Sequence, residues 1–493
     1  MGAMLFALPF FGRGERMEEK IIGTFIAHEK GFGFVKPENE ELEKDIFIAA
    51  KNVNGALNED VVEVEIVKDS ENKSKEGKIA KIVRRGKDTL VGTFQKSKSF
   101  GFVVPDDKRF GSDIFISKKN FGKARDKHKV VVRITKYPEK GRKAEGEVIE
   151  VIGNINQAGV DMMSIIKEYK LPARFPGDVV AEAKKFGDAK DLDDAIWVTK
   201  NSNGNYVLDV HIADVSHYVK DRTQLDREAR IRGTSVYMLG RVIPMLPREL
   251  SNGLCSLNAG QDRYALSVSM EIDSDGRVVD SDVYKSVVRV AERMTYTDVQ
   301  KIIDGTDEEV LKKYEKYIND FKLMEELAQI LKNKRMANGY LNLDIPESKI
   351  VLDNVTGKCI DVKKYETTFA NEIIEQFMLI ANETVAERFY WLEVPFIYRV
   401  HEEPDIDKVK ELNKFLFNLG YKIHISQDMV HPSAFSKVLE EVKGKPEEKV
   451  VSNLILRTLK VAKYDSENLG HFGIAGKYYC HFTSPIRRYP DLF

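Results

Sequence analysis

The sequence predicts a multidomain protein in which two small all-β barrels in tandem precede a mixed α+β domain. Three observations carry that prediction: a set of motifs recurs within the first 152 residues, long helical patterns are confined to the region beyond residue 177, and a proline-flanked connector lies between the two. At 493 residues the chain has room for three or four domains with real cores. Its 77 Lys and Arg nearly balance 78 Asp and Glu, so any surface for a polyanion must be a local patch. Three widely spaced cysteines, Cys255, Cys359 and Cys480, offer neither a disulfide framework nor a zinc knuckle and fit a reducing cytoplasm. No apolar run approaches the roughly 20 residues of a spanning helix, so no membrane is expected. Met4 to Phe11 is apolar but lacks a basic leader and a small-residue cleavage site, so residues 1–20 read as the stub of a shortened N-terminal region.

The repeat defines the first two domains, 21–86 and 87–152. Gly23-Thr24-Phe25, Lys30 to Val35 (KGFGFV) and Asp45 to Ile48 (DIFI) recur as Gly92-Thr93-Phe94, Ser99 to Val103 (SFGFV) and Asp113 to Ile116 (DIFI). Short runs of alternating or β-branched residues between turn residues predict an antiparallel barrel in each copy. Residues i and i+2 of a strand share a face, so Phe32 with Phe34, and Phe100 with Phe102, are predicted to form flat aromatic platforms with Phe47 and Phe115. The intervening glycine is read as letting a base approach the backbone. Such rings stack single-stranded nucleic acid, since every base has a π-face. Both copies resemble cold-shock domains of the oligonucleotide-binding (OB-fold) barrel class over about residues 21–152, which implies RNA as the ligand. Two basic stretches, Lys68 to Arg85 and Lys118 to Lys143, are candidates for tracking phosphates.

Residues 153–176 read as a connector with one amphipathic helical segment, Met162 to Tyr169, ending in Leu171-Pro172-Ala173-Arg174-Phe175-Pro176. The last domain, 177–493, contains a buried strand pattern at Tyr206 to Val215 and helical patterns at Phe369 to Trp391 and Ile406 to Leu419. Its chemistry centres on Gly187 to Ala195 (GDAKDLDDA), where four aspartates fall within seven residues. Mutual repulsion in such a cluster is relieved by water or by a cation. Hard oxygen ligands suit Mg²⁺, with Mn²⁺ an equal match for the donor set.

Several stretches of this region resemble the catalytic domain of the ribonuclease II and ribonuclease R (RNB) family of exoribonucleases. They are DAKDLDDA (188–195), HIADVSHYV (211–219), IPMLPRELSNGLCSL (243–257), YRVHEEPD (398–405), HFGIA (471–475) and HFTSPIRRYPD (481–491). With two barrels in front, the domain order is most similar to the ribonuclease R branch. The resemblance implies metal-holding and catalytic roles for Asp191, Asp193 and Asp194, a catalytic role for Arg487, and RNA contacts by Tyr237 and Glu375 near the 3′ end. Paired Mg²⁺ ions and an arginine together meet the needs of phosphodiester hydrolysis: an activated water, stabilised phosphoryl charge and help for the leaving oxygen. His211, His217, His401, His471 and His481 fall in family-like motifs but receive no catalytic role.

Two departures accompany the resemblance. Where family members carry a further metal-associated aspartate six residues before Asp191 there is Lys185, and the junction ahead of the cluster is short by several tens of residues. Beyond Phe493 the family continues with channel helices and another RNA-binding barrel, so the last domain reads as C-terminally incomplete. The expected function is a processive, Mg²⁺-dependent 3′-to-5′ exoribonuclease that releases nucleoside 5′-monophosphates from single-stranded or structured RNA in decay and quality control, without an obligate protein partner. The alternative is a catalytically impaired RNA-binding protein that keeps the barrel platforms.

Overall fold

The computed structural model describes residues 21–39, 45–68, 75–139, 142–184, 193–239, 241–251, 255–343, 348–353, 358–365, 367–427 and 429–493. The chain divides into two compact units, the first formed by Met1–Leu171 with Asp353–Lys358 and the second by Pro172–Leu352 with Cys359–Phe493.

In the first unit, β1 (Ile21–Ala27), β2 (Gly33–Pro37), β3 (Ile46–Ile48), β4 (Val61–Lys68) and β5 (Glu76–Arg84) close a barrel in the order β1-β2-β3-β5-β4. Only the β3–β5 pairing is parallel. The strand period of two sends Phe25, Val35, Ile46, Ile48, Val62, Val64 and Ile79 inward, and they form the barrel core. β6 (Thr89–Lys96), β7 (Phe100–Pro105), β8 (Ile114–Ser117), β9 (His128–Lys136) and β10 (Glu145–Asn154) repeat the topology around Phe94, Val103, Ile114, Ile116, Val130 and Val132.

Three sequence readings change here. Gly33 and Gly101 face the barrel interior, on the opposite side from the platform rings. A Cβ on Gly33 would lie 2.4 Å from Cε2 of Phe25, and one on Gly101 2.6 Å from Cε2 of Phe94. The glycines make room for a core ring, not for a base. Arg85, at the end of the first basic stretch, is committed to structure: it pairs with buried Asp60 at 2.8 Å, donates to the Gly55 carbonyl and stacks over Tyr137 of the second barrel at 4.0 Å. The connector is also less independent than its prolines suggest. Its helix α1 (Val160–Glu168) buries Val160 and Ile166. The Glu168 carboxylate accepts from Val91 N at 2.9 Å and Lys87 Nζ at 3.2 Å, which ties α1 to the second barrel.

The second unit opens with α2 (Gly177–Ala183) and a four-stranded antiparallel sheet in the order β11 (Asp194–Lys200), β12 (Tyr206–Ala213), β15 (Asp262–Ile272), β16 (Val278–Arg289). Between β12 and β15 lie α3 (Gln224–Arg232) and the hairpin of β13 (Val236–Met238) and β14 (Arg241–Ile243). After the sheet come α4 (Tyr296–Asp304), α5 (Glu308–Lys313), α6 (Ile318–Ala337), the hairpin of β17 (Ser348–Leu352) and β18 (Cys359–Lys364), and α7 (Phe369–Trp391). The remainder is β19 (Tyr398–Val400), α8 (Ile406–Asn418), α9 (Pro432–Val442), α10 (Glu448–Thr458), β20 (Lys463–Asp465) and α11 (Tyr489–Leu492).

The helix expected at 369–391 forms over those residues, begun by a capping box in which Thr368 and Asn371 exchange side-chain to backbone bonds. α6 and α7 cover one sheet face, where Leu208, Val210, Ile212, Val268 and Met270 meet Leu327, Leu331, Phe377 and Ile380. A second core joins α8, α9 and α10, and a third gathers α2, α3, the 243–257 segment and Ile486 beside the end of β12. That third core positions the site.

Candidate active site and nucleic-acid platforms

The aspartate cluster enters the sheet at its edge. Asp194 is the first residue of β11, paired with Ile212, and the Asp193 carbonyl accepts from Ala213 N at 2.9 Å. Cross-strand partners share a face, so Asp194 lies on the helix-covered side with Ile196 and Val198, just where the apolar packing ends. Its position is exposed to water. Desolvation raises its pKa, while the positive charge of Arg487 pulls in the opposite direction. The phenol of Tyr296, at the start of α4, is raised by burial and by the Asp194 charge. Asp194, Arg487 and Tyr296 therefore share one locus. Asp191, together with Lys185 and Asp188, lies outside the described residues.

Arg487 is presented by a rigid loop. Phe482, Thr483, Ser484 and Ile486 are buried, and Ile486 is seated in the third core. Ser484 N and the Arg488 guanidinium both hold the fully enclosed Asp491 carboxylate, at 2.9 and 2.7 Å. Ser235 N and the Thr234 hydroxyl donate to the Arg487 carbonyl at 2.8 and 3.0 Å. With its backbone held from both sides, Arg487 extends an exposed guanidinium that pairs with no carboxylate among the described residues. Ser235 is also the root of the β13–β14 hairpin, whose Tyr237 is 61% exposed. Tyr237 and Arg487 thus stand on directly bonded segments.

Glu375 occupies an exposed position on α7 and accepts from the Tyr340 hydroxyl at 3.1 Å. Burial raises the Tyr340 phenol, and the Glu375 charge adds to the shift. Tyr340 follows α6, whose buried Arg335 pairs with Glu383 of α7 at 2.6 Å. The histidines behave mainly as structural groups: His211 Nδ1 bonds Ser267 Oγ at 2.7 Å, His401 bonds the Lys460 carbonyl and Gly473 N, and His217 stacks on Tyr264.

As a metal site, Asp193 and Asp194 supply hard carboxylate oxygens of the kind Mg²⁺ accepts while keeping water and phosphate as its other ligands. Among the described residues no group of three or more His, Cys, Asp or Glu converges to hold a metal, so any fuller ligand set involves residues outside them.

In the first barrel Phe32, Phe34 and Phe47 form a ring cluster with centroids 5.6–6.0 Å apart, extended by His28 stacked on Phe32 at 4.4 Å. In the second, Phe100, Phe102 and Phe115 lie 5.4–5.9 Å apart, with Lys143 over Phe102. Each cluster is partly exposed. Some cations of the second basic stretch pair within the barrel: Lys129 with Asp106, Arg133 with Glu147 and Lys136 with Glu145.

The sequence reading missed Tyr296, Tyr340 and His28. Nothing in their local sequence marks them, because their partners lie at other points in the chain or, for His28, across a turn.

Three family models match the chain: the RNB domain over residues 186–493, the cold shock domain over 102–176, and the Ribonuclease B OB domain over 23–82. Ribonuclease R of Thermotoga maritima is 40% identical across 98% of this chain and 71% of its own length. This chain belongs to the ribonuclease R group of RNB exoribonucleases. The cold shock match extends through α1, in keeping with the packing of that helix on the second barrel. The alignment with the Thermotoga relative runs over 511 positions, so that ribonuclease R contains residues with no counterpart in these 493. Among solved structures, Mycoplasma genitalium RNase R in complex with ribose-methylated single-stranded RNA is 28% identical, with a TM-score of 0.87 over 96% of this chain and 78% of that one. The same Mycoplasma protein in complex with double-stranded RNA gives a TM-score of 0.78. Yeast Ssd1, a pseudonuclease, shares the fold at 18% identity and a TM-score of 0.70.

Proposed function

We propose that this chain degrades RNA processively from the 3′ end, releasing nucleoside 5′-monophosphates, and that it depends on Mg²⁺ or Mn²⁺ held by Asp193 and Asp194 together with Asp191. The observation that carries this reading is the meeting of Asp194 with the carboxylate-free guanidinium of Arg487 at one accessible locus. A bound divalent cation would supply Lewis acidity and an activated water there. The protein's own groups do the rest. Arg487 holds the scissile phosphate and offsets the charge that grows on its oxygens during transfer. Tyr237 stacks on a terminal base, and Glu375 accepts from a sugar hydroxyl near the same end. The barrel platforms hold the strand without regard to base identity. The RNA of the Mycoplasma complexes supports both single-stranded and structured substrates. The same reading gives the chain a cytoplasmic role in RNA decay and quality control without an obligate protein partner.

A time course with 5′-labelled single-stranded RNA tests this. In Mg²⁺ the label should move down a ladder that shortens from the 3′ end, and both EDTA and Asp193→Asn should abolish it. RNA that is bound but left intact by the unmodified chain in Mg²⁺ would reject the enzyme in favour of an RNA-binding protein.

A further inference from the structure

We propose that Arg399, stacked on Tyr464 beside the Arg487 loop, binds an RNA backbone phosphate adjacent to the one Arg487 engages. The inference rests on the exoribonuclease reading above and adds a second phosphate contact to its site.

Arg399 and Tyr464 are cross-strand partners in the β19–β20 ribbon, and the Arg399 Cζ lies 4.7 Å from the Tyr464 ring centroid. The Tyr464 hydroxyl is bonded to His481 Nδ1 at 2.8 Å, and His481 begins the loop that carries Arg487. Arg399 N donates to the carbonyl of Tyr479, two residues before His481. Ring, ribbon and loop therefore form one bonded frame with an arginine on each side.

The surroundings show what Arg399 lacks. Lys460 and Lys463 share Glu402, and Lys463 also takes Asp465. Arg488 is held by Asp491, and Arg335 by Glu383. Arg399 is half-buried, yet its guanidinium meets a ring face and no carboxylate among the described residues. A guanidinium carries five N–H donors, and a desolvated one left without an anion is costly. Its neighbours do not compete for an anion at neutral pH. Burial, with Arg399 contributing, lowers His401 and brings His471 and His481 down to about 3. What remains is a planar cation on an aromatic support, suited to bidentate recognition of phosphate.

The test is the salt dependence of binding of a single-stranded oligoribonucleotide to the whole chain, measured by anisotropy in EDTA so that no turnover intervenes. Losing one phosphate contact should reduce the slope of log Kd against log salt by about 0.7 for Arg399→Ala. Arg399→Lys should restore the slope, because it keeps the charge. An unchanged slope in Arg399→Ala overturns the inference while leaving the exoribonuclease reading intact. An equal loss in Arg399→Lys overturns it too, since it would assign Arg399 to packing. A wild-type chain that does not bind the RNA overturns both.

Discussion

The neutral histidines behind the Arg487 loop set how the second unit responds to acid. His471 and His481 titrate near 3 in the folded protein because burial penalises the imidazolium, and nearby positive charges add to the effect. The unfolded chain takes up a proton at each near pH 6.5, so between these limits it binds more protons than the native state. Stability is therefore complete above about pH 6.5 and falls as the pH drops toward 3, by up to about 1.4 kcal/mol per pH unit for each histidine. Urea midpoints at neutral and mildly acid pH should show this fall. His471→Phe should remove about one proton's worth of the slope, and among the described residues the buried Nδ1 of His471 has no hydrogen-bond partner to lose. A slope that is unaltered in this variant would mean that His471 titrates normally.

At the scale of single elements, β2 and β7 serve two masters by alternation. Phe34 and Phe102 face outward, Val35 and Val103 are fully buried, and Gly33 and Gly101 leave space beneath for the Phe25 and Phe94 rings. Gly33→Ala forces its methyl into an occupied core and should cost about 1–3 kcal/mol in stability. RNA affinity of the molecules that still fold should be nearly unchanged. The opposite result, intact stability with weakened binding, would return the glycine to the ligand side. The same dual economy accounts for Arg85, which pairs with Asp60 and stacks on Tyr137, and for part of the second basic stretch, where Lys129, Arg133 and Lys136 pair with the barrel's own carboxylates.

Across the whole molecule, two barrels of one topology carry platforms of matching geometry but different trim, an imidazole in the first and an ammonium in the second. If both hold the strand, Phe34→Ala with Phe47→Ala, and Phe102→Ala with Phe115→Ala, should each weaken binding by about 1–3 kcal/mol per stacked base. Homopolymers of equal length should bind nearly alike. A strong base preference in that anisotropy series would indicate hydrogen-bond readout in place of stacking.

What the sequence determined by itself is whatever depends on near neighbours in the chain. The motif repeat specified two barrels, strand alternation put Phe32, Phe34, Phe100 and Phe102 on common faces, and helical periodicity delimited Phe369–Trp391. The spacing of Asp193 and Asp194 announced an acidic site for the same reason, since repulsion between adjacent carboxylates needs no tertiary information. Tertiary structure alone decided which long-range partners meet. Nothing local in Arg399, Tyr464 and His481 joins residues 65 and 17 positions apart, or sets Tyr296 beside Asp194. Nor does a lone glycine disclose which side of a sheet its missing side chain would crowd. Those outcomes follow from how the sheet, the ribbon and the buried loop pack, and packing is a property of surfaces brought together from across the chain.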